Sequence, residues 1–146
     1  MRKEVEKFLN GKNYAIVGVS VTKSKFGNAI LKEMAERGFT MYPVHRTAES
    51  LEGIKCYNSI KDLPQNIEGI ILVIPPVETE KIVKEIAALG IKQVWMQQGS
   101  SSEKAVKYCK ENGINVISKE CILMFLEKPG FPHNFHKWVW GLIGRV

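Results

Sequence analysis

The residues best equipped for chemistry lie between positions 15 and 30, in the stretch AIVGVSVTKSKFGNAI. An apolar run ends at Gly18; Ser20, Thr22 and Ser24 then offer hydroxyls, Lys23 and Lys25 offer positive charge, and Gly27 opens a segment of helical periodicity. A dinucleotide fingerprint would read G-x-G-x-x-G directly after the strand. Here Ser20 stands at the second glycine's place, and six residues separate it from Gly27. A glycine lets the chain turn sharply after a strand, and the first turn of a following helix presents unpaired amides at its positive end. Amides, hydroxyls and ammonium groups together suit a phosphate. Alanine at position 27 would favour the helix by ~1 kcal/mol, so a glycine there implies a close approach, by pyrophosphate against bare backbone or by the neighbouring strand. The plainer account of the whole stretch is a flexible loop with Ser24 as the helix cap.

Three further segments could face the same ligand. Pro43-Val44-His45-Arg46 stands where an NAD-specific protein presents an acidic residue, about 20 positions beyond the first glycine. An arginine there instead suits a phosphate on the ribose, as in NADP or in the 3′-phosphate of coenzyme A; a solvated loop arginine is the alternative. In Ile74-Pro75-Pro76 the prolines stop a strand and begin a helix, and their flat apolar surface can bound an adenine. Gln97 and Gln98 can donate amide hydrogens into a crevice, and the Ser100-x-x-Glu103 that follows has the spacing of a capping box.

Signs of catalysis are sparse. No Ser-His-Asp, Cys-His or paired-carboxylate arrangement stands out, and no Asp, Glu or Cys follows His133 and His136 to complete a metal site. Cys56, Cys109 and Cys121 form no C-x-x-C pair, so they read as reduced thiols. Cys121 draws more attention, because it falls near the start of a helix expected from about 119 to 127 and opened by Ser118. A helix start lowers a thiol pKa, and a thiol beside the crevice could meet a ligand's own sulfhydryl. A buried core cysteine is the ordinary alternative.

These candidates need a scaffold that gathers them. After a short leading helix at 2–10, apolar strand-like runs at 14–17, 39–44, 69–74, 93–96 and 115–117 alternate with helical patterns at 29–37, 77–89 and 102–111, and a short helical turn falls near 59–63. Strands separated by helices predict a parallel sheet with right-handed crossovers. The expected fold is α/β, a Rossmann-like three-layer sandwich with a five-stranded parallel sheet, and its ligand belongs at the carboxyl ends of the strands. All four candidate segments leave such ends.

Composition narrows the class. With 146 residues, 45% of them apolar and 25% charged, the chain suits one globular domain and excludes a disordered or fibrous protein. No apolar run reaches the length of a membrane span, and residues 1–6 lack the apolar core of a signal peptide, which predicts a cytoplasmic protein without stable membrane insertion. The net charge of +6 favours an anionic partner. The lysines are dispersed among glutamates, however, which points to a phosphorylated small molecule and not to nucleic acid.

The motifs AIVGVS, a basic residue followed by FG, YPVHRTAESLEGIKCYNSIKDLP, VIPP, VWMQQG and NVISKEC occur in that order. Over roughly residues 10–125 the chain resembles the small stand-alone coenzyme A-binding proteins of the Rossmann type, relatives of the N-terminal domain of the succinyl-CoA ligase alpha subunit. The resemblance implies that Gly18, Ser20, Lys25 and Gly27 lie along the phosphates of coenzyme A or an acyl-CoA, and Phe26, between the last two, is a further candidate for the site. It places Pro43, His45 and Arg46 near the phosphorylated ribose and Ile74 and Pro75 beside the adenine; Gln98 and Cys121 join the candidates from their own positions at a strand end and near a helix start. Relatives commonly read PVNP where this chain has Pro43-Val44-His45-Arg46. The ligase's second domain, with its phosphorylated histidine, has no counterpart here, so its reaction does not carry over.

The expected organisation is a coenzyme A-binding domain at 1–128 and an aromatic, basic tail at 129–146. In the tail Phe131, Phe135, Trp138 and Leu142 recur at helical spacing, flanked by Lys137 and Arg145. Such a stripe packs on its own domain, on a second copy in a homodimer, or on a membrane surface. The function expected is coenzyme A binding without catalysis of its own. The alternatives are an NADP-dependent reductase or redox sensor, and a coenzyme A-binding subunit that acts in acyl-CoA ligation with a partner chain.

Overall fold

Residues 70–72 are apolar at every position, the pattern of a strand covered on both faces, and they lie at the centre of the sheet. The computed structural model describes residues 2–23 and 25–126. Its elements are α1 (Lys3–Leu9), β1 (Asn13–Val17), α2 (Phe26–Glu36), β2 (Thr40–Val44), β3 (Ser50–Leu51), β4 (Ile54–Lys55), a 3₁₀ turn (Ile60–Asp62), β5 (Gly69–Leu72), α3 (Pro76–Ala88), β6 (Gln93–Gln97), α4 (Glu103–Glu111), β7 (Asn115–Glu120) and α5 (Ile122–Phe125). Five strands form one sheet in the order β2-β1-β5-β6-β7, with every pairing parallel. The expected Rossmann-like sandwich is the fold observed. The chain crosses from β2, on one side of β1, to β5 on the other, so the strand order reverses between β1 and β5.

Alternation along the strands builds the two outer layers. Tyr14, Ile16, Met41, Ile71, Trp95 and Ile117 pack with buried residues of α1, α2 and α5. Ala15, Ile70, Leu72, Val94 and Met96 pack instead with Val83 and Ile86 of α3 and with Ala105 and Cys109 of α4. Helix α2 ends at the expected stop: Gly38 has φ +96, its amide donates to the Ala35 carbonyl at 3.1 Å, and the Phe39 amide donates to that of Met34 at 3.1 Å. This pair of bonds closes orphan carbonyls at the helix end. Tyr14 is fully buried. Its hydroxyl donates to the Phe8 carbonyl and accepts from the Gly11 amide at 2.8 Å, and burial pushes its pKa up to about 12.

Three local expectations need correction. Residues 50–55, read as part of a polar stretch, form a β-hairpin whose two-residue turn, Glu52-Gly53, has φ +51 and +79. Strand β7 runs to Glu120 where a helix was expected from 119, because Lys119 is an extra residue in the β6–β7 ladder: Met96 pairs with Ser118 and Gln97 with Glu120. Lys119 takes φ +63, as a bulge allows, and α5 shrinks to the four residues Ile122–Phe125. Finally, Ser102 and not Ser100 caps α4, accepting from the Ala105 amide at 3.1 Å. The proposed cap Ser24, the end of the expected last helix at 127, the histidines 133 and 136 and the tail from 129 onward lie outside the described residues.

Candidate functional site

The strand order reverses between β1 and β5, the place where open α/β sheets bind ligands. Gly18 follows β1 with φ +116, and a Cβ added there would overlap the Val73 carbonyl oxygen. The two strand exits stay in contact, with the Val73 amide donating to the Val17 carbonyl at 2.9 Å. Gly27, two residues into α2, would likewise drive a Cβ into the Gly18 carbonyl oxygen. Gly27 is buried, and this packing against the Gly18 carbonyl by itself requires a glycine there.

The rest of this loop is held by side chains. Asn28 accepts from the Ser20 amide at 2.9 Å and donates to the Ser20 carbonyl at 2.7 Å. The Ser20 hydroxyl accepts from the amides of Thr22 and Lys23 at 3.3 and 3.2 Å and shares a hydrogen bond with the Thr22 hydroxyl at 3.4 Å, so it shapes the loop. Lys25 occupies the N-cap of α2 in an extended conformation, no side chain among the described residues caps this helix, and its first turn carries no acidic residue. An anion therefore meets a positive helix end with open amides. Phe26 is half-buried and packs on the core beside α2, so its ring supports the loop.

At the exits of β1, β2 and β5, on the α3 side of the sheet, lies a cleft of about 410 Å³. The ends of β1, β2 and β5 contribute Val17, Val44, His45, Arg46 and Ile74; Asn58, Ser59 and Ile60 form another wall, and α3 closes it with Glu78, Lys81, Ile82 and Glu85. Pro43 is buried one residue inside β2, an edge strand, where a missing amide is tolerated. Its carbonyl accepts from the Tyr57 amide at 2.9 Å, and the His45 amide donates to the Tyr57 carbonyl at 2.8 Å. His45 Nδ1 accepts from the amides of Thr47 and Ala48 at 3.2 and 3.1 Å. Arg46 is exposed at the mouth. Two larger depressions, of about 660 and 550 Å³, run along α4, away from the β1–β5 exits. The smaller cleft sits where the strand ends converge, and that geometry outweighs volume.

The other expected site residues disperse. Ile74 is fixed by Ser100, whose buried hydroxyl accepts from the Ile74 amide at 3.1 Å and ties the exits of β5 and β6 together. Pro75 is exposed and caps α3, with Pro76 as its first residue. Gln98 is exposed in a turn closed by the Ser100 amide on the Gln97 carbonyl at 2.8 Å. Gln97, expected to donate into the crevice, is buried and accepts from the Ile122 amide at 3.0 Å. Cys121, 7% exposed, packs in the core layer of α1, α2 and α5, on the sheet face opposite the α3 wall of the cleft. Burial also pushes the Cys109 thiol up to about 11 and raises that of Cys56. Asn28, Ser100 and the α3 wall escaped the sequence reading. Asn28 alone left a signal there, as a polar residue in the first helical turn.

The chain is similar to several known proteins. An ADP-forming acetate–CoA ligase of Methanocaldococcus jannaschii is 32% identical over 108 residues, 74% of this chain but 15% of the ligase. The alpha subunit of an ADP-forming acetate–CoA ligase II of Pyrococcus furiosus is 27% identical over 126 residues, 79% of this chain and 28% of the subunit. The chain thus spans less than a third of either relative. A conserved hypothetical protein of Pyrococcus furiosus has a solved structure that superposes with a TM-score of 0.75 at 33% identity, over 79% of this chain and 99% of its own. The CoA binding domain family matches residues 12–127, which contain every strand of the sheet and the whole cleft, and the chain belongs to that family.

Proposed function

We propose that the protein binds coenzyme A or an acyl-CoA at the β1–β5 switch point and carries no catalysis of its own. One observation supports this above the rest: at the carboxyl ends of the strands the start of α2 packs on Gly18, just past β1, and a cleft lined by Val17, His45, Arg46 and Ile74 opens at the exits of β1, β2 and β5. In this reading the diphosphate lies over the first turn of α2, within reach of Ser20 and Lys25. The phosphorylated ribose faces Arg46 and Lys81, and the adenine rests against Val17, Val44, Ile60 and Ile74. Pro75 and Gln98 border the site from its rim, and Cys121 supports the sheet beneath it. The domain spans 1–128, with the remaining residues as a tail.

Calorimetry with the purified chain tests the assignment. Coenzyme A should bind more tightly than its 3′-dephospho form by about 1.5–3 kcal/mol, the value of a hydrogen bond to a charged group. Arg46→Ala should shrink that difference to what Lys81 supplies while leaving the melting temperature unchanged, since Arg46 is exposed. Equal affinities in the unsubstituted protein would remove the Arg46 assignment. Tight NADPH binding with none for coenzyme A would replace the reading by an NADP-dependent reductase or sensor.

A second reading draws on the ligase relatives, one of which is an alpha subunit. In it the chain presents coenzyme A to a partner chain that activates the acid. ADP release from ATP, acid and coenzyme A that needs both chains together would establish this role.

A further inference from the structure

Arg46 is exposed on a short turn, and the turn is held at three points by its neighbours. The His45 amide donates to the Tyr57 carbonyl at 2.8 Å, and the Asn58 side chain donates to the His45 carbonyl at 3.0 Å. The third point is the His45 ring, whose Nδ1 accepts from the amides of Thr47 and Ala48, the two residues just beyond Arg46, at 3.2 and 3.1 Å. A nitrogen that accepts two N–H groups carries the lone pair, so the ring proton resides on Nε2. The imidazole thus does for this turn what an Asp or Asn side chain does in an Asx turn.

We propose that His45 is the positioning residue of the ribose-phosphate site, closing the 45–48 turn through Nδ1 so that Arg46 faces the cleft only while the imidazole is neutral. This rests on the coenzyme A reading above and adds a pH dependence to it. Protonating Nδ1 turns an acceptor into a donor aimed at two other donors. The turn opens, the share of molecules with Arg46 in place falls, and the apparent affinity falls in proportion. The charges around the ring do not decide the direction. Arg46 on the turn, Lys81 on α3 and Lys55 on β4, which lies over the Tyr57 ring, are opposed by Glu78 and Glu85 on α3 and by Asp62, bound to Ser59. The hydrogen-bond geometry therefore sets the sign.

Coenzyme A is titrated into the full chain and into His45→Ala and His45→Asn, at pH 8 and at about pH 5.5. Asparagine places Oδ1 where Nδ1 stands and can accept the same two amides. At pH 8, His45→Asn should bind within about threefold of the unsubstituted protein and His45→Ala about tenfold more weakly, the equivalent of one to two lost hydrogen bonds. On acidification the unsubstituted protein should lose affinity relative to His45→Asn by a further factor of about ten. The ligand phosphate titrates equally against both proteins, so this ratio isolates the imidazole. His45→Ala binding as well as the unsubstituted protein, whether or not its melting temperature drops, would overturn the proposal. So would His45→Asn as weak as His45→Ala, or a ratio that stays flat with pH. No binding by the unsubstituted protein at pH 8 defeats the coenzyme A reading itself and takes this inference with it.

Discussion

The loop after β1 and the turn after β2 border the same cleft and are built on opposite terms. In the first, the two glycines are hemmed in by backbone: Gly18 by the Val73 carbonyl and Gly27 by the Gly18 carbonyl. In the second, backbone is held by side chains, through His45 and Asn58, and the charged Arg46 remains in solvent. The glycine pattern, which reads as the ligand's signature, is demanded already by how closely a helix start packs on a strand end. The residues left to meet the ligand are the less patterned ones. Substitutions at the glycines should therefore act on stability, and substitutions in the turn on affinity.

The strongest attempt to break that contrast is Gly18→Ala. A side chain at φ +116 costs about 1–3 kcal/mol in backbone strain, and its overlap with the Val73 carbonyl adds about 1–3 kcal/mol of overpacking. Chemical denaturation should show a loss of about 4 kcal/mol, while the fraction that remains folded binds coenzyme A with unchanged affinity. A protein of unaltered stability that no longer binds would mean that the glycine serves the ligand after all.

Legibility in the sequence follows the same division between local and distant causes. Ile70 to Leu72 and the spaced apolar residues of α2 and α3 speak for themselves, because burial on one face or two leaves a period that a short window detects. The hairpin was hidden, since strands of two residues have no period and Glu52-Gly53 lacks the usual Asn-Gly or Asp-Gly turn. Ser100 looked like a cap until its partner, the Ile74 amide, proved to lie 26 residues away. Strand β7 overran its expected end because the Trp95 indole donates to the Glu120 carbonyl at 3.2 Å and Gln97 accepts from Ile122, both from a neighbouring strand. In the site, the Pro43–Arg46 segment was recognisable as a strand exit. Glu78, Lys81 and Glu85 were not, because helical charges read as solvated until the fold turns one face of α3 toward the cleft.

A smaller effect is expected at Gly27. Overlap with the Gly18 carbonyl should cost about 1–3 kcal/mol, against a gain in helix propensity of about 1 kcal/mol for alanine. Gly27→Ala should thus lower stability by about 1–2 kcal/mol, with Gly27→Val worse and the affinity of the folded fraction intact. A melting temperature that holds or rises while affinity drops tenfold would put pyrophosphate, and not the strand, against this glycine, and the two regions would cease to differ.

The finest test lies at Asn28, where the first loop borrows the method of the second. Its amide clamps Ser20 from both sides, accepting from the backbone N–H and donating to the carbonyl, from the third position of α2. Asn28→Asp keeps an acceptor for the Ser20 amide and loses the donor, a cost of about 0.5–1.5 kcal/mol. A negative charge in the first turn of a helix returns about 0.3–1 kcal/mol through the helix dipole. Stability should therefore stay within about 0.5 kcal/mol of the original. Affinity should not be spared, because the same carboxylate faces the place proposed for the diphosphate. A drop of about fivefold, near 1 kcal/mol, that shrinks as salt is added would mark electrostatic repulsion at that end of the helix. Unchanged affinity would move the diphosphate away from α2 and leave the turn at Arg46 as the sole anchor of the ligand.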